Sequence, residues 1–146
     1  MDVKVRTGSI EEVVLLQSQI PEFEDPHSKS EYISRLAASE HIILIAEFEG
    51  NPVGFKVGYD RFLDRKVFYS WMGGVLPEHR GKKVARLLLQ KMEVWCKLKG
   101  YKTLKFKTMN KHKAMIHFAV THGFDIVDFE PCKPTIDSKI YFQKNI

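Results

Sequence analysis

One arginine, one glycine and two lysines, Arg80-Gly81-Lys82-Lys83, stand together where a predicted strand gives way to a predicted helix. Pro77 ends the strand, because proline has no backbone N–H to donate to a sheet. Gly81 lets another group approach the backbone closely. The first N–H groups of the helix have no intrahelical acceptor and lie at the positive end of its dipole. Together with the cationic side chains, they predict an anion site suited to a pyrophosphate.

The sequence predicts no P-loop, dinucleotide-binding, zinc or redox site. The chain has neither the Gly-x-x-x-x-Gly-Lys-Ser/Thr of a P-loop nor the Gly-x-Gly-x-x-Gly of a dinucleotide-binding fold. Cys96 and Cys132 stand far apart and no Cys-x-x-Cys occurs, so neither a zinc site nor a redox site is predicted. We expect no bound metal.

Positive charge is concentrated in one segment. From Arg80 to Lys113 there are twelve Lys and Arg residues and a single acid, Glu93, whereas the rest of the chain is mildly acidic. This asymmetry suggests a phosphate-bearing partner at one place. A nucleic acid is one alternative, although no aromatic row accompanies the basic residues and no nucleic-acid-binding motif occurs. The outer lysines are most simply a solvated face: Lys91, Lys97, Lys99, Lys102 and Lys105.

Hydrophobic periodicity predicts the element order β-α-α-β-β-β-α-β-α-β-β. Ser9 with Glu12 forms a capping box for the first helix, and Ser28 or Ser30 caps the second. Strands are predicted at 2–6, 42–48, 53–59, 67–75, 103–108, 124–129 and 140–142, and the two later helices at 79–98 and 112–122. The strand–helix–strand unit at 67–108 makes its two strands parallel, and the hairpins are antiparallel. The predicted fold class is α/β (α+β), with a mixed, mostly antiparallel central sheet of about seven strands and helices on both faces.

Length and composition set the outer limits. The chain has 146 residues, 44% apolar and 28% charged, which is typical of one soluble globular domain spanning 1–146. The longest apolar stretch, 42–46, is too short to cross a bilayer, and no N-terminal signal is visible. We therefore expect a cytoplasmic protein with no membrane partner.

The segment 75–85 resembles the acetyl-CoA motif of the GNAT superfamily of N-acetyltransferases, Arg/Gln-x-x-Gly-x-Gly/Ala. Arg80 matches the first position and Ala85 the last. Lys83 stands where the family usually has glycine; lysine still supplies an N–H and can adopt helical angles. The resemblance extends over about 3–142. The segment 69–75 is similar to the family's fourth strand, and 107–115 with 123–124 is similar to its fifth strand and the helix that follows.

The resemblance implies a specific geometry for acetyl-CoA. The parallel strands at 67–75 and 103–108 splay apart, and the pantetheine arm pairs with the free edge of the first. The pyrophosphate lies on the N–H groups that open the next helix. The cofactor-binding residues that this implies are Gly74, Val75, Leu76, Arg80, Gly81, Lys82, Lys83, Val84, Ala85, Asn110 and Lys113.

Direct acetyl transfer to an amine, which the family performs, places demands on the remaining residues. The amine must be neutral although a free alkylamine has a pKa of about 10.4, and the oxyanion needs a donor such as the backbone N–H near Val75. Many relatives protonate the departing thiolate with a tyrosine four residues before a Gly-Phe pair, and here that residue is Ala119. No carboxylate occurs in 67–75. The remaining catalytic candidates are Tyr69, as acid or base, and Glu22, as base.

The function that follows is an acetyl-CoA-dependent N-acetyltransferase acting on a primary amine of a small molecule or peptide. Two alternatives stay open. One is a GNAT fold that binds CoA without catalysis, which the missing tyrosine permits, and the other is a basic nucleic-acid-binding module. Acceptor specificity is expected from the segments 21–27, 59–66 and 131–138, which carry no readable code. The oligomeric state is open, with a homodimer as one option.

Overall fold

The computed structural model describes residues 2–146, which form one seven-stranded sheet in the order β1-β2-β3-β4-β5-β7-β6. The strands are β1 (Val3–Thr7), β2 (His41–Phe48), β3 (Asn51–Tyr59), β4 (Val67–Val75), β5 (Thr103–Met109), β6 (Asp125–Glu130) and β7 (Lys139–Asn145). The α-helices are α1 (Ile10–Gln17), α2 (Lys29–Leu36), α3 (Val84–Lys99) and α4 (Lys113–Thr121). Only β4 and β5 pair in parallel. The predicted mixed sheet and element order are confirmed.

The helix starts show how local sequence sets the fold. Ser9 accepts the Glu12 N–H in the predicted capping box of α1, and Ser28 rather than Ser30 caps α2. The third helix was expected from residue 79, but α3 begins at Val84. The reason is local: Pro77–His79 forms a separate 3-10 turn, and the chain passes through left-handed angles before α3 starts.

The helices cover the two faces of the sheet. Phe23, in the loop after α1, packs against Phe55 of β3 with ring centroids 6.0 Å apart. Gly54, the neighbouring residue in β3, lies under Val84 and Leu88 of α3. Because successive residues of a strand point to opposite faces, α1 and α3 lie on opposite sides.

The helix α4 shares the α3 side. Lys144 of β7 forms an ion pair with Glu93 of α3 at 3.0 Å and lies against Gly123 at the end of α4. We call this side the α3/α4 face and the other the α1/α2 face. The core draws large buried side chains from both faces: Tyr32, Phe55, Phe68, Tyr101 and Phe142.

The parallel pair β4–β5 is joined over a short distance only. The pairs are Val67 with Thr103, Phe68 with Leu104 and Tyr69 with Lys105. Beyond Tyr69, residues 70–75 of β4 have no partner on the β5 side, although they stay paired with β3. The two strands therefore diverge toward their C-terminal ends and leave a wedge-shaped gap. The resemblance to the GNAT superfamily implied such a splayed pair.

No helix within residues 2–146 is both long enough and apolar enough to cross a membrane. The same residues contain no group of three or more His, Cys, Asp or Glu side chains that could hold a metal ion. Cys96 and Cys132 are both free thiols.

Candidate active site

The edge of β4 presents backbone groups to the gap. The Leu76 N–H donates to the Val53 carbonyl of β3 at 2.8 Å. Backbone groups alternate in direction along an antiparallel strand, so the N–H and carbonyl of Val75 point away from β3, toward the gap. The backbone at Gly74 is covered on the α1/α2 face, where a Cβ would lie 2.8 Å from Ile20 Cδ1. Glycine is thus needed there for the close approach of the loop after α1.

The segment between β4 and α3 keeps backbone donors free. Gly81 has φ +74° and Lys83 has φ 65°, both left-handed. The first backbone bond along α3 runs from the Leu87 N–H to the Lys83 carbonyl at 3.0 Å. The N–H groups of Val84 and Ala85 accordingly have no acceptor in the helix and lie at its positive end. This arrangement fits the predicted pyrophosphate site.

Lys83 does not adopt the helical angles that the sequence suggested for it. A non-glycine residue in the left-handed region is strained by about 1–2 kcal/mol, and this position usually carries glycine in the GNAT motif. We expect Lys83→Gly to raise the free energy of unfolding by about 1 kcal/mol while acetyl-CoA affinity stays unchanged. Chemical denaturation and calorimetry measure the two effects. A large loss of affinity would show that the lysine side chain itself holds phosphate.

Arg80 links the end of β4 to the loop after α1. Its Nε donates to the Val75 carbonyl at 3.1 Å, and its two terminal nitrogens donate to the Glu22 carboxylate at 2.7 and 2.8 Å. Hydrogen bonding to Glu22 raises the pKa of Arg80. A carboxylate and a phosphate offer the same two-pronged geometry to a guanidinium. The Glu22 carboxylate occupies the two terminal nitrogens that a phosphate would use, so a phosphate would bind Arg80 in competition with Glu22.

This contact bears on Glu22 as a general base. Hydrogen bonding to Arg80 holds the pKa of the Glu22 carboxyl below its usual range. A carboxylate with a lowered pKa is a poorer proton acceptor, so this contact makes Glu22 less suited to act as a general base.

The remaining predicted cofactor residues follow the C-terminal ends of β4 and β5, on the two sides of the mouth of the gap. Leu76 is buried, and the Lys82 ammonium lies over the Phe48 ring at 5.7 Å. Across the gap, after β5, Lys113 Nζ donates to the Asn110 side chain at 2.7 Å. The Asn110 N–H is fixed by the Ser138 carbonyl at 2.7 Å.

The comparisons with known proteins agree with this geometry. The model of the acetyltransferase (GNAT) family matches residues 12–124. The chain belongs to the GNAT acetyltransferase family. Acetyl-CoA is accordingly the cosubstrate of its family. None of the curated proteins matches the chain in sequence.

Solved structures of GNAT proteins share the whole fold. The ribosomal-protein-S18-alanine N-acetyltransferase of Escherichia coli superposes with a TM-score of 0.84 at 13% identity, covering 99% of this chain and 94% of its own. An aminoglycoside 6'-N-acetyltransferase complexed with coenzyme A gives 0.80 at 15%, covering 97% and 96%. A GNAT acetyltransferase of Elizabethkingia anophelis with acetyl-CoA bound gives 0.75 at 17%, covering 99% and 98%.

Ala119 occupies the place where many GNAT enzymes carry the acid tyrosine. It is fully buried in α4, and its carbonyl accepts the Phe124 N–H at 2.9 Å. We expect Ala119→Tyr to lower the free energy of unfolding by about 1–3 kcal/mol through overpacking, with little gain in kcat. Thermal denaturation and a turnover assay measure the two quantities. A clear rise in kcat would show that an acid is lacking here and limits the reaction.

Tyr69 lies where the β4–β5 ladder ends, on the α1/α2 face. It is 5% exposed, and burial raises the pKa of its hydroxyl, an effect that the nearby Arg61 partly offsets. The Arg61 guanidinium lies 4.9 Å from the centre of the Tyr69 ring. Of the two catalytic candidates, Tyr69 is thus the one beside the closed end of the gap.

An open cavity of about 460 Å³ lies beside Tyr69 on the same face. Arg61, Lys105 and Lys107 line it. Arg61 lies in the segment 59–66, from which acceptor specificity was expected, whereas nothing in the sequence singled out Lys107, because alternating strands look alike in any fold. Lys105, interpreted as part of a solvated face, is half-buried in this cavity, because β5 turns its odd-numbered residues away from α4.

Trp71 also lies on this face and packs against the core. It is half-buried, with the Arg35 guanidinium 4.6 Å from its ring centre and the His27 ring 5.1 Å away. A register shift between β3 and β4 makes Trp71 the extra residue of the strand. His27 ends the segment 21–27, from which acceptor specificity was expected.

Proposed function

We propose that the chain transfers acetyl directly from acetyl-CoA to a primary amine of a small molecule or a peptide, without a covalent enzyme intermediate. The observation that carries this proposal is the gap between β4 and β5, which closes at Tyr69 and has the start of α3 at its mouth. We also propose that residues 1–146 act as one N-acetyltransferase domain. The protein is proposed to act in the cytoplasm.

The gap offers each part of acetyl-CoA a matching group. The free N–H groups at the start of α3, with Arg80, would hold the pyrophosphate. The edge of β4 at 73–75 that faces away from β3 would pair with the pantetheine amides as a strand does, although the Val75 carbonyl also accepts from Arg80. Asn110 and Lys113 would contact the cofactor from the β5 side. Bound there, acetyl-CoA supplies an activated acetyl thioester. The Val75 N–H, directed into the gap, is the donor for the developing oxyanion.

The site has few side chains that could act as a general base or a general acid. No carboxylate lies on β4, and the Glu22 carboxylate is engaged by Arg80. Tyr69 is a titratable side chain at the closed end of the gap, where Lys105 pairs with it in the sheet. Positioning of the two reactants can supply a large share of the acceleration, so a dedicated base is helpful rather than required.

A turnover assay tests the proposal. Thiol release from acetyl-CoA is measured with a panel of small amines and amine-terminated peptides, in the parent protein, in Arg80→Ala and in Lys97→Ala, an exposed basic residue on α3. We expect turnover of at least one amine that falls in Arg80→Ala and not in Lys97→Ala. Binding of acetyl-CoA without turnover of any amine would instead establish a CoA-binding protein without catalysis.

The nucleic-acid alternative receives no support from the fold. The basic segment is divided between the two faces of the sheet: Lys91 and Lys97 lie on α3, whereas Lys105 and Lys107 line the cavity on the α1/α2 face. A duplex-binding protein needs its cations on one continuous surface, which these residues do not form.

A further inference from the structure

The cavity on the α1/α2 face is of a size that suits a small ligand or the end of a peptide. Its volume of about 460 Å³ falls within the usual range for ligand sites. Its floor is formed by β4, β5, β7 and β6, with Tyr69 on the side next to the gap and Phe62, of the β3–β4 loop, at the rim. An amine bound in this cavity would lie beside the closed end of the gap.

The charged groups that line the cavity are mostly positive. Arg61, Lys105 and Lys107 face a single carboxylate, Asp128, among the lining residues. Within residues 2–146, these three cations make no ion pair, while Arg61 and Lys105 lie over the aromatic rings of Tyr69 and Phe62. The cavity therefore holds a surplus of uncompensated positive charge.

Neighbouring carboxylates do not remove this surplus. Glu130 accepts from the Tyr141 hydroxyl at 3.1 Å and pairs with Lys139 at 3.8 Å. Glu31 pairs with Arg35 at 2.7 Å. Each of these acids already has a cationic partner of its own.

The pKa of Lys107 reflects the same surroundings. It is lowered, first by partial desolvation and then by the positive charges of Lys139, Arg61 and Arg35, with Glu130 acting in the opposite direction. An anion placed among these groups would relieve their repulsion.

We propose, on the basis of the function proposed above, that the acceptor is an amine that also carries a carboxylate or phosphate group. The anionic group binds to Arg61 and Lys107, and the amine is directed toward the gap at Tyr69. A substrate whose only charges are positive is repelled from the same cavity.

Binding of such a substrate in this cavity also reduces the need for a general base. Cations close to an ammonium favour its neutral form, and the neutral amine is the nucleophile. The cavity thus binds the substrate through its anion and lowers the pKa of its amine with the same side chains. A site lined by carboxylates would have the opposite effect on the amine.

The test compares amines in matched pairs that differ in one anionic group. The pairs are O-phosphoethanolamine with ethanolamine, 4-aminobutyrate with butylamine, and the peptide Ala-Glu-Glu-Phe with Ala-Gln-Gln-Phe, and spermidine serves as a polycation. We expect kcat/KM to be about tenfold or more higher for the anionic member. Preference in the first two pairs alone indicates a small-molecule acceptor, and preference in the third alone indicates a peptide.

Variants assign the preference to the cavity. Arg61→Gln and Lys107→Gln should each reduce it several-fold, while Arg65→Gln on the same loop and Lys102→Gln at the start of β5, both exposed, should leave it intact. The preference should also fall with rising salt, because its source is electrostatic. Equal or better turnover of the neutral amines or spermidine would overturn this inference and leave the proposed function standing.

Failure of the proposed function has a different signature, namely no turnover of any amine. In that case the same pairs are compared by thermal shift in the presence of CoA. A rise in Tm with the anionic members that is lost in Arg61→Gln supports an anion-binding cavity. Equal shifts, or none, for the two members of each pair overturn it.

Discussion

Gly81→Pro is expected to lower acetyl-CoA affinity by about 100-fold or more, because misplacing the N–H groups at the start of α3 removes at least two hydrogen bonds to a charged group, each worth about 1.5–3 kcal/mol. Gly81 has φ +74°, whereas proline fixes φ near −65° and removes the backbone donor. The substitution would redirect the chain between β4 and α3 and misplace the free N–H groups that follow. Isothermal titration calorimetry with acetyl-CoA measures the loss, and circular dichroism checks that the fold persists.

Arg80→Ala is expected to lower the same affinity by about tenfold, the loss expected when one charge-assisted contact is removed. Glu22→Gln provides the matched comparison, because it removes the partner of Arg80 and leaves the guanidinium in place. We expect its affinity to stay the same or rise, since the carboxylate no longer competes for the guanidinium. Unchanged affinity in both Gly81→Pro and Arg80→Ala would show that the pyrophosphate binds elsewhere.

The fold followed closely from the sequence because its signals were local and mutually consistent. The Ser9–Glu12 capping box, the turn at residues 49–50 and the strand at 67–75 each depend on neighbouring residues only. The start of α3 was placed five residues too early. A basic segment with helical spacing does not reveal that Lys83 takes left-handed angles, since that choice depends on how the chain leaves β4.

The candidate site also has features that were predictable from neighbouring residues and features that were not. The anion site was predictable because Arg80, Gly81 and the helix start are contiguous in the chain. The ion pair between Arg80 and Glu22 joins residues far apart in sequence, and nothing in either segment points to the other. The cavity is also assembled from separate elements, so Arg61 and Lys107 become neighbours only when β3, β4 and β5 are placed side by side.

With acceptors that carry no anionic group, turnover should rise with pH and show no alkaline fall up to about pH 9.5. With anionic acceptors the preference should weaken at high pH, because the pKa of Lys107 is lowered and its neutral form no longer attracts the anion. On the acid side, kcat/KM should increase about tenfold per pH unit, because only the neutral amine reacts. An enzyme tyrosine acting as acid would need to stay protonated for activity. Ala119 replaces that tyrosine, and burial raises the pKa of Tyr69, which works against its ionisation in this range.

Two variants separate the groups behind this profile. The ascending limb of kcat reports the bound amine, so Lys107→Gln should move it upward by about half a pH unit as one nearby positive charge is lost. Tyr69→Phe should reduce kcat less than about tenfold, because we expect Tyr69 not to transfer the proton. Loss of a general acid or base would cost roughly 100-fold or more. If Tyr69→Phe costs 100-fold or more, or abolishes an alkaline fall seen in the parent, Tyr69 transfers the proton and the cationic cavity is not what makes the amine reactive.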